Sequence, residues 1–540
     1  MGKKALLMKS KEIINQLCDV VGSDAVITDV KEREYFSMDV FDIDQVADIV
    51  IQPRSKDQIS STLKVLSETD YQIIPRGGGM SYTGGYTPST ERSVIIDTSL
   101  LNQIIEINSD DMYITVEAGC TWKKIYEALK PLGLRLPFFG TNSGSMATVG
   151  GGLSNGALFF GTGQYGSAAD NVLGMEIIIA DGTLIKTGQN AFANAKPHHR
   201  TYGPDTTGLF CHDAGSLGIK VQATFPLIYW PNSVGYLSFS YRSLEDAVAA
   251  LSSISKSGLT EECYVLDPKS AGSLTDVSNV EGAKSVLKVL REQSSFMRGL
   301  KESVKMAFTG RNVIPENSYS LHMVISNHSQ NALRFDIKEA EVIAEKYNGE
   351  SIPNSIPKAT RADPFPPMNG ILGHAGERWA ALNAKVPHTS ALIVNQQIIR
   401  LMDQYKERMD ACGVWYTLLN IGIQQHSYSI EPVLRWLDEW PELHKRTAEP
   451  SFLSTFEEPS PNIEARELVH EIRKEIIGYF ASIGAASNQI GRAYDYMGYL
   501  YKPSKELLIN IKNNLDPKNK MNSGALGISE HFWNHHRKTD

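Results

Sequence analysis

A glycine-rich stretch in the first hundred residues offers bare backbone that could bind an anion. Residues 76–81 read Arg-Gly-Gly-Gly-Met-Ser and follow a short run of β-forming residues. Backbone N–H groups without a neighbouring Cβ can surround a diphosphate. The stretch is not a P-loop, because no Gly-Lys-Ser/Thr follows it. It is not a Rossmann fingerprint either, because no helix with a suitably spaced acidic residue follows. Taken alone, it could equally be a glycine-rich turn.

A second glycine-rich segment, residues 140–167, strengthens the anion-binding interpretation. It contains Gly150-Gly151-Gly152 and, shortly afterwards, Ser154-Asn155-Gly156. Two such loops in one α+β unit predict an extended ligand with a diphosphate in its middle.

The residues around these loops predict the elements that must position them. Residues 46–79 read strand, turn, helix, strand and glycine loop, with Ile59, Leu63 and Leu66 on one helix face. The dipeptide Asp181-Gly182 predicts the turn of a β-hairpin. From about residue 235, longer helical patterns alternate with β runs, which predicts a second α+β domain.

Composition and charge exclude several classes of protein. The chain has 540 residues, of which 42% are hydrophobic and 21% charged, and its formal net charge is −8; these values are typical of a globular protein. No Lys/Arg-rich run occurs, so we expect no nucleic-acid partner. No apolar run reaches the roughly 18 residues of a membrane span. The five cysteines are scattered without a CxxC pair, so we expect free thiols and a cytoplasmic location.

Five ordered motifs resemble one superfamily. They are "PRGGGMSYTGG", "MATVGGGLSNGA", "QYGSAADNVLGMEIIIADG", "TTGLFCHDAGSLGIKVQATFPL" and "NNLDPKNKMNSGALG". Together they resemble the vanillyl-alcohol oxidase/p-cresol methylhydroxylase superfamily of FAD flavoproteins, and within it the D-2-hydroxyacid dehydrogenase branch, to which one chain of glycolate oxidase belongs. The resemblance covers residues 1–230 and 481–540, and the middle of the chain matches weakly.

The resemblance implies a fold and a domain order. The fold class would be α+β. An FAD-binding domain of two small sheets with helices (1–232) would be followed by an α+β cap domain for the substrate (233–480). A C-terminal segment (481–540) would complete the FAD site. The implied chemistry is hydride transfer from a small hydroxy acid or alcohol to the flavin, after which O2 or another acceptor takes the electrons. A homodimer is an option.

By the same resemblance, four parts of the chain would bind FAD. These residues are Arg76, Gly77, Gly78, Gly79, Met80, Ser81, Gly84 and Gly85 at the diphosphate; Gly151, Gly152, Ser154 and Asn155 along the flavin and its ribityl chain; Gly218 and Ile219 near the adenine or the pyrimidine edge; and Asn522, which would close the site from the C-terminal segment. Many relatives link FAD covalently to a histidine at the position of Met80. A thioether cannot form that bond, so we expect dissociable FAD.

Metal-dependent relatives of the hydroxyacid branch have ligands that this chain lacks. Those relatives carry two cap histidines and a later Glu-His-Gly-Ile-Gly, whereas Ser487 and Asn488 stand at the matching positions here. His426 is a candidate cap ligand, and Glu431 lies close to it in sequence. One imidazole and one carboxylate make a poor metal site, so we expect no metal.

Two short stretches supply candidates for catalysis. In "HSYSIEP", alternation would place His426, Tyr428 and Ile430 on one face of a strand, and an imidazole is a suitable base. Arg492 and Tyr494 follow the segment that lies by the flavin in relatives, and Arg492 could hold a carboxylate or phenolate oxygen. Structural roles for these residues stay open. Weaker candidates for the substrate pocket are Arg378, Trp379 and His388.

Three functions are consistent with the sequence. The first is oxidation of a hydroxy acid or related small alcohol. The second is oxidation or dehydrogenation of a para-substituted phenol, as in vanillyl-alcohol oxidases. The third is a flavin-binding subunit without turnover of its own. The missing metal ligands weaken the first, the Tyr/Arg pairing favours the second, and the second-loop and tail motifs favour the first.

Overall fold

The computed structural model describes residues 2–270, 314–530 and 532–533, with side chains from residue 10 onward. In chain order the strands are β1 Val26–Ile27, β2 Ile49–Ile51, β3 Gln72–Arg76, β4 Ser93–Asp97, β5 Ile104–Asn108, β6 Tyr113–Glu117, β7 Leu134–Arg135, β8 Gly174–Ile178, β9 Leu184–Lys186, β10 Ile219–Pro226, β11 Ile228–Tyr229, β12 Ser233–Tyr241, β13 Glu262–Leu266, β14 Tyr319–Asn327, β15 Glu350–Ser351, β16 Arg378–Ala381, β17 Ala384–Val386, β18 Val414–Ile423 and β19 Ser427–Trp436.

The α-helices of the described residues are numbered in the same way. They are α1 Gly2–Val21, α2 Val30–Ser37, α3 Lys56–Ser67, α4 Trp122–Leu129, α5 Val149–Ser154, α6 Thr162–Tyr165, α7 Ala168–Asn171, α8 Thr206–Leu209, α9 Leu244–Ser257, α10 Gln330–Lys346, α11 Ser355–Ala362, α12 Ala391–Gln404, α13 Lys406–Cys412, α14 Glu442–Thr447, α15 Pro450–Leu453, α16 Ile463–Ser482, α17 Tyr496–Tyr499 and α18 Lys502–Leu515. No described helix combines the length and the apolar character needed to cross a membrane.

The first sheet positions the first glycine loop. Its strand order is β1-β2-β4-β3, and β2, β4 and β3 are parallel. Helix α3 begins after Ser55, whose side chain accepts a hydrogen bond from Gln58 N, a typical N-cap. Three apolar side chains of this helix are fully buried: Ile59, Leu63 and Leu66. The predicted strand–helix–strand unit is present, with β4 between its two strands, and β3 leads directly into the loop at residue 77.

The second sheet carries the predicted hairpin. Its order is β5-β6-β10-β8-β9, and all of its neighbouring strands are antiparallel. Gly182 adopts φ +87° in the turn between β8 and β9, which favours glycine. Trp122 of α4 packs edge-on against Phe138 and Phe225, with ring centroids 5.2 and 5.9 Å apart. Ile178 and Ile219 of this sheet pack against the core of the first sheet, so both sheets belong to one unit.

The third sheet forms the cap. Its strand order is β15-β12-β14-β13-β18-β19-β16, with β17 beside β19. Helices α9, α10, α12 and α16 cover one face and share its hydrophobic core. On the other face, Tyr264 and Ile421 pack against the core of the second sheet, and the ring of Tyr264 lies 5.6 Å from that of Phe159. The predicted α+β class, with two small sheets and an α+β cap, is confirmed.

The C-terminal segment returns to the first sheet. Ile73 N donates a hydrogen bond to Lys520 O (2.9 Å), and Asn522 N donates to Ile73 O (2.8 Å). The buried ammonium of Lys512 donates to Ser216 O (2.7 Å), and this hydrogen bond connects α18 to the residues just before β10. This part of the chain therefore lies against the first glycine loop, although the exact domain boundaries stay a prediction.

Candidate active site

One cleft runs between the two glycine-rich loops. Its empty volume is about 840 Å³, part of it open to solvent, which is within the range of ligand pockets. Thirteen of the fifteen residues that the sequence assigns to the cofactor line the cleft: Arg76, Gly77, Gly78, Gly79, Met80, Ser81, Gly85, Gly151, Gly152, Ser154, Asn155, Gly218 and Ile219. The structure therefore brings together residues that lie up to 143 positions apart in the sequence (76 to 219).

The first loop has free hydrogen-bond donors. Among the described residues, no acceptor pairs with the backbone N–H groups of residues 77–81. The loop is fixed through other atoms instead. The Tyr86 hydroxyl donates to Gly79 O (2.7 Å), and Gly84 N donates to Asp39 Oδ2 (2.8 Å). Because unpaired N–H groups are costly, adjacent free donors favour an anionic ligand, and the residues present fit the diphosphate of FAD.

The two loops touch through their backbones. A Cβ at Gly78 would lie 1.9 Å from Met146 O of the second loop, and one at Gly77 would lie 2.3 Å from Thr148 Oγ1. Both separations are far below van der Waals contact, so these two positions require glycine. The closeness of the loops keeps the cleft narrow at this point.

Arg492 joins the first loop to the C-terminal segment. Its Nη1 donates to Gly84 O (2.7 Å), and its Nη2 donates to Asn522 Oδ1 (2.7 Å) and Ser523 O (2.8 Å). Asn522 Nδ2 donates in turn to Gly85 O (2.7 Å). Gly84 and Asn522 thus lie behind the cleft. The structure argues against Arg492 as the predicted substrate anchor, because two of its three guanidinium nitrogens bind protein groups and the residue does not line the cleft. Its Nε is buried without a partner among the described residues.

The face of strand β19 that points towards the cleft is opposite to the one that we predicted. The strand begins at Ser427, so His426 lies in the preceding turn with an exposed side chain. Tyr428 and Ile430 are fully buried in the core beneath the cap helices. The structure therefore brings neither His426 nor Tyr428 to the cleft, and both predictions are corrected. The reason is that α9 and α12 cover the face that carries Tyr428.

The other face of β19 carries Glu431 towards the FAD-binding domain. Burial raises the pKa of the Glu431 carboxyl to about 7. Burial, and then the charge of Glu431, raise the pKa of Tyr82 well above its usual value. Burial also raises the pKa of Tyr494, while the charge of Arg473 lowers it and that of Glu431 raises it. Each of these side chains thus acts on the pKa of another or is acted on by it. Tyr82, Glu431, Arg473 and Tyr494 are here called the cap-side cluster.

Hydrogen bonds fix the tyrosines and arginine of the cap-side cluster. Arg473 Nη2 donates to Tyr82 O (3.0 Å), and its Nη1 donates to Ala381 O (2.9 Å). The Tyr494 hydroxyl donates to Asn383 O and accepts from Asn383 N, both at 3.2 Å. Of the four residues only Tyr494 was predicted as catalytic. Tyr82 lies inside the first-loop motif and could have been found there, whereas Arg473 lies in none of the motifs that the sequence shows.

The cap-side cluster is connected to the cleft through one short segment. Gln489 lines the cleft, and its Oε1 accepts from Ser81 Oγ (2.9 Å). Ser487 Oγ is within hydrogen-bond distance of Gln489 O (3.0 Å) and Asn383 Oδ1 (2.9 Å). The same Asn383 contacts Tyr494. The cluster therefore lies beside the part of the cleft lined by Ser81.

The structure places the three weaker candidates for the substrate pocket in different surroundings. Trp379 packs edge-on against Tyr82, with ring centroids 5.4 Å apart. Arg378 pairs with Asp438 at 2.9 Å, and His388 Nδ1 lies 2.9 Å from Ser252 Oγ. Within the described ranges, no group of three His, Cys, Asp or Glu side chains could hold a metal ion. Metal independence stays a prediction, to be tested with chelators.

The comparison with protein families bears on the cleft directly. Residues 47–188 match the family described as "FAD binding domain". This range contains the first loop, the second loop and the β8–β9 hairpin. This part of the chain is similar to an FAD-binding domain. FAD is therefore the cofactor for which the free N–H groups of the first loop are suited.

Individual relatives support the same assignment. D-lactate dehydrogenase [cytochrome] 1, mitochondrial, of Saccharomyces cerevisiae is 27% identical over 47% of this chain and 46% of its own length. Glycolate oxidase subunit GlcD of Bacillus subtilis is 30% identical over 46% of this chain and 51% of its own length. The chain thus spans about half the length of these curated relatives.

Solved structures share the fold over almost the whole chain. p-Cresol methylhydroxylase with substrate bound superposes with a TM-score of 0.72 at 17% identity, covering 96% of this chain and 97% of that one. The 4-ethylphenol oxidase of Gulosibacter chungangensis superposes with a TM-score of 0.65 at 17% identity, covering 97% and 98%. The fold matches show the same fold, and the sequence matches agree with the superfamily and branch that the five motifs indicated.

Proposed function

We propose that this protein is an FAD-dependent oxidoreductase that removes a hydride from the hydroxyl-bearing carbon of a small hydroxy acid or alcohol. The relatives over the FAD-binding domain include a D-lactate dehydrogenase and a glycolate oxidase subunit. The observation that carries the proposal is the cap-side cluster, in which Glu431, with a pKa of about 7, lies beside a cleft that fits FAD.

When bound, FAD supplies the hydride acceptor. The chain's own residues must take up the hydroxyl proton and exclude water. We assign the proton to Glu431, because a base is most effective when its pKa lies near the working pH. Its carboxylate would accept a hydrogen bond from the substrate hydroxyl and then its proton. The hydroxyl of Tyr82 would orient the same oxygen.

A para-substituted phenol is a second candidate substrate. Arg473 acts on both Tyr82 and Tyr494 with its positive charge. A tyrosine hydroxyl beside a guanidinium, here that of Tyr82, can donate to a phenolate oxygen and stabilise it. The edge-on rings of Tyr82 and Trp379 provide an aromatic wall against which a phenol ring would pack.

An anaerobic substrate screen tests the proposal. The FAD-loaded protein is mixed without O2 with D-lactate, L-lactate, glycolate, p-cresol or 4-ethylphenol, and the visible flavin absorbance is followed. Bleaching by a hydroxy acid supports the first candidate, and bleaching by the phenols alone supports the second. If no hydroxy acid, alcohol or phenol reduces the flavin, the protein binds FAD without turnover and the proposal is wrong. Admitting O2 afterwards shows whether O2 or another acceptor takes the electrons.

We propose in addition that FAD is held without a covalent bond, because Met80 occupies the position of the linking histidine. Acid precipitation should then release the flavin into the supernatant, whereas flavin that stays on the precipitated chain would contradict this. The homodimer and the cytoplasmic location expected from the sequence stay predictions.

A further inference from the structure

A lysine lies on the same face of the cap sheet as Glu431. Lys385 of β17 is directly opposite Ser429 of β19, and opposed residues of an antiparallel pair point to the same face. Glu431 is two residues beyond Ser429, so it shares that face. The two residues next to Lys385 in the strand are Ala384 and Val386, and both are buried in the core beneath the cap helices. Lys385 therefore points towards the FAD-binding domain.

The ammonium of Lys385 forms no ion pair with any described residue. In the described part of the chain, no carboxylate lies within ion-pair distance of it and no acceptor hydrogen-bonds to it. Among the described residues, Asp170 is the carboxylate whose charge raises the pKa of Lys385. Asp170 Oδ2 already accepts from Ser167 N (2.7 Å) and Ser167 Oγ (2.8 Å). Lys385 is half-buried, burial lowers its pKa, and taking a cation partly out of water without a partner is costly.

A second polar side chain near Lys385 is also unpaired. Lys385 N donates to Ala486 O (2.7 Å), and Ala486 N donates to Lys385 O (3.2 Å), which brings the following residues beside the lysine. The Oδ1 atom of one of them, Asn488, is buried and has no hydrogen-bond partner among the described residues. This oxygen is therefore free to accept a hydrogen bond from a ligand.

The neighbouring histidine adds no second positive charge. His212 Nδ1 lies 3.3 Å from Asn488 O. Burial, and then the charge of Lys385, lower the pKa of His212 to about 4, so His212 is neutral near pH 7. A Cβ at Gly156 would lie 2.1 Å from His212 Cε1, and the preceding residue, Asn155, lines the cleft. The lysine and its neighbours thus adjoin the cleft.

We propose that Lys385 binds a carboxylate of the substrate. The inference rests on the proposed function, in which Glu431 of the same sheet face takes the hydroxyl proton. A 2-hydroxy acid carries its hydroxyl and its carboxylate on adjacent carbons, so one small molecule can reach both side chains. The carboxylate would neutralise the ammonium, and charge-assisted hydrogen bonds are the strong ones. This pairing favours a 2-hydroxy acid over a phenol, which has no carboxylate.

Oxalate is a suitable probe, because it presents carboxylates but has no hydrogen on carbon to lose. The FAD-loaded full chain is titrated at constant ionic strength, and binding is measured by calorimetry and by the change in flavin absorption. The neutral diamide oxamide serves as the ligand control. We expect wild type to bind oxalate but not oxamide, and Lys385→Met to bind oxalate about ten- to a hundredfold more weakly. Lys385→Arg should recover part of the affinity.

Lys406→Met is the matched control variant. Lys406 is an exposed lysine of the cap that pairs with Asp410 at 2.6 Å, and its loss should leave oxalate binding unchanged. FAD content and melting temperature report whether each variant folds. If Lys385→Met is not folded, Lys385→Gln takes its place. On any hydroxy acid that reduces the flavin, Lys385→Met should raise KM more than it lowers kcat.

The results separate this inference from the proposed function. Oxalate binding that is equal in wild type and Lys385→Met, or no oxalate binding by wild type, would overturn the role of Lys385 even if hydroxy acids are oxidised. Oxalate binding that depends on Lys385, in a protein whose flavin no hydroxy acid reduces, would support the anion site and contradict the proposed function.

Discussion

The first glycine loop and the cap-side cluster offer a ligand different kinds of chemical group. The loop offers backbone N–H groups from five consecutive residues, 77–81. The cluster offers side chains from distant parts of the chain, namely a loop, strand β19, helix α16 and the segment before α17. The first is a site for retaining a cofactor, and the second is a site for acting on a substrate. Variants in the loop should therefore change FAD retention, and variants in the cluster should change turnover while FAD stays bound.

Gly78→Ala should have the largest effect on FAD retention. Its Cβ would lie 1.9 Å from Met146 O, so the two loops must move apart. Overpacking of this kind costs about 1–3 kcal/mol, and we expect FAD affinity to fall about ten- to a hundredfold, measured by titrating the apoprotein. Gly478→Ala is the control, because nothing lies within 4 Å of its Cβ. Wild-type FAD affinity in Gly78→Ala would show that the loops do not hold the cofactor.

Arg492→Met should have an intermediate effect, and on stability rather than on catalysis. The substitution removes the hydrogen bonds to Gly84, Asn522 and Ser523. Charge-assisted hydrogen bonds contribute about 1.5–3 kcal/mol, so the free energy of unfolding should fall by roughly that amount while KM is unchanged. Arg408→Met, in an exposed pair with Glu471, should change stability much less. A raised KM without loss of stability would restore Arg492 as a substrate anchor.

His426→Ala should have the smallest effect. The side chain is exposed in the turn between β18 and β19, and such substitutions usually change stability by less than about 0.5 kcal/mol. The rate of flavin reduction and its dependence on pH should equal those of wild type. Slow reduction together with a lost pH dependence would mean that His426 is the base after all.

The same contrast explains how much could be predicted from sequence. Residues 77–81 were found because a backbone site needs glycine, and that requirement is local. Tyr494 was found because it follows a recognisable segment. Tyr428 was misplaced because the covered face of β19 is decided by helices that are remote in sequence. Glu431 was noted only as a neighbour of His426, for the same reason. Arg492 was misassigned because sequence shows its charge but not its partner, Asn522.

The central claim is that Glu431 takes the substrate's proton, and stopped-flow flavin reduction without O2 tests it most directly. Burial moves the pKa of this carboxyl from 4.5 to about 7, so it is protonated below about pH 7 and a carboxylate above. In wild type, the reduction rate should therefore rise with pH through about 7. Glu431→Gln should keep its FAD, reduce about 10²–10⁴-fold more slowly and show no such rise. Reduction of Glu431→Gln at the wild-type rate, with the same rise, would contradict the account.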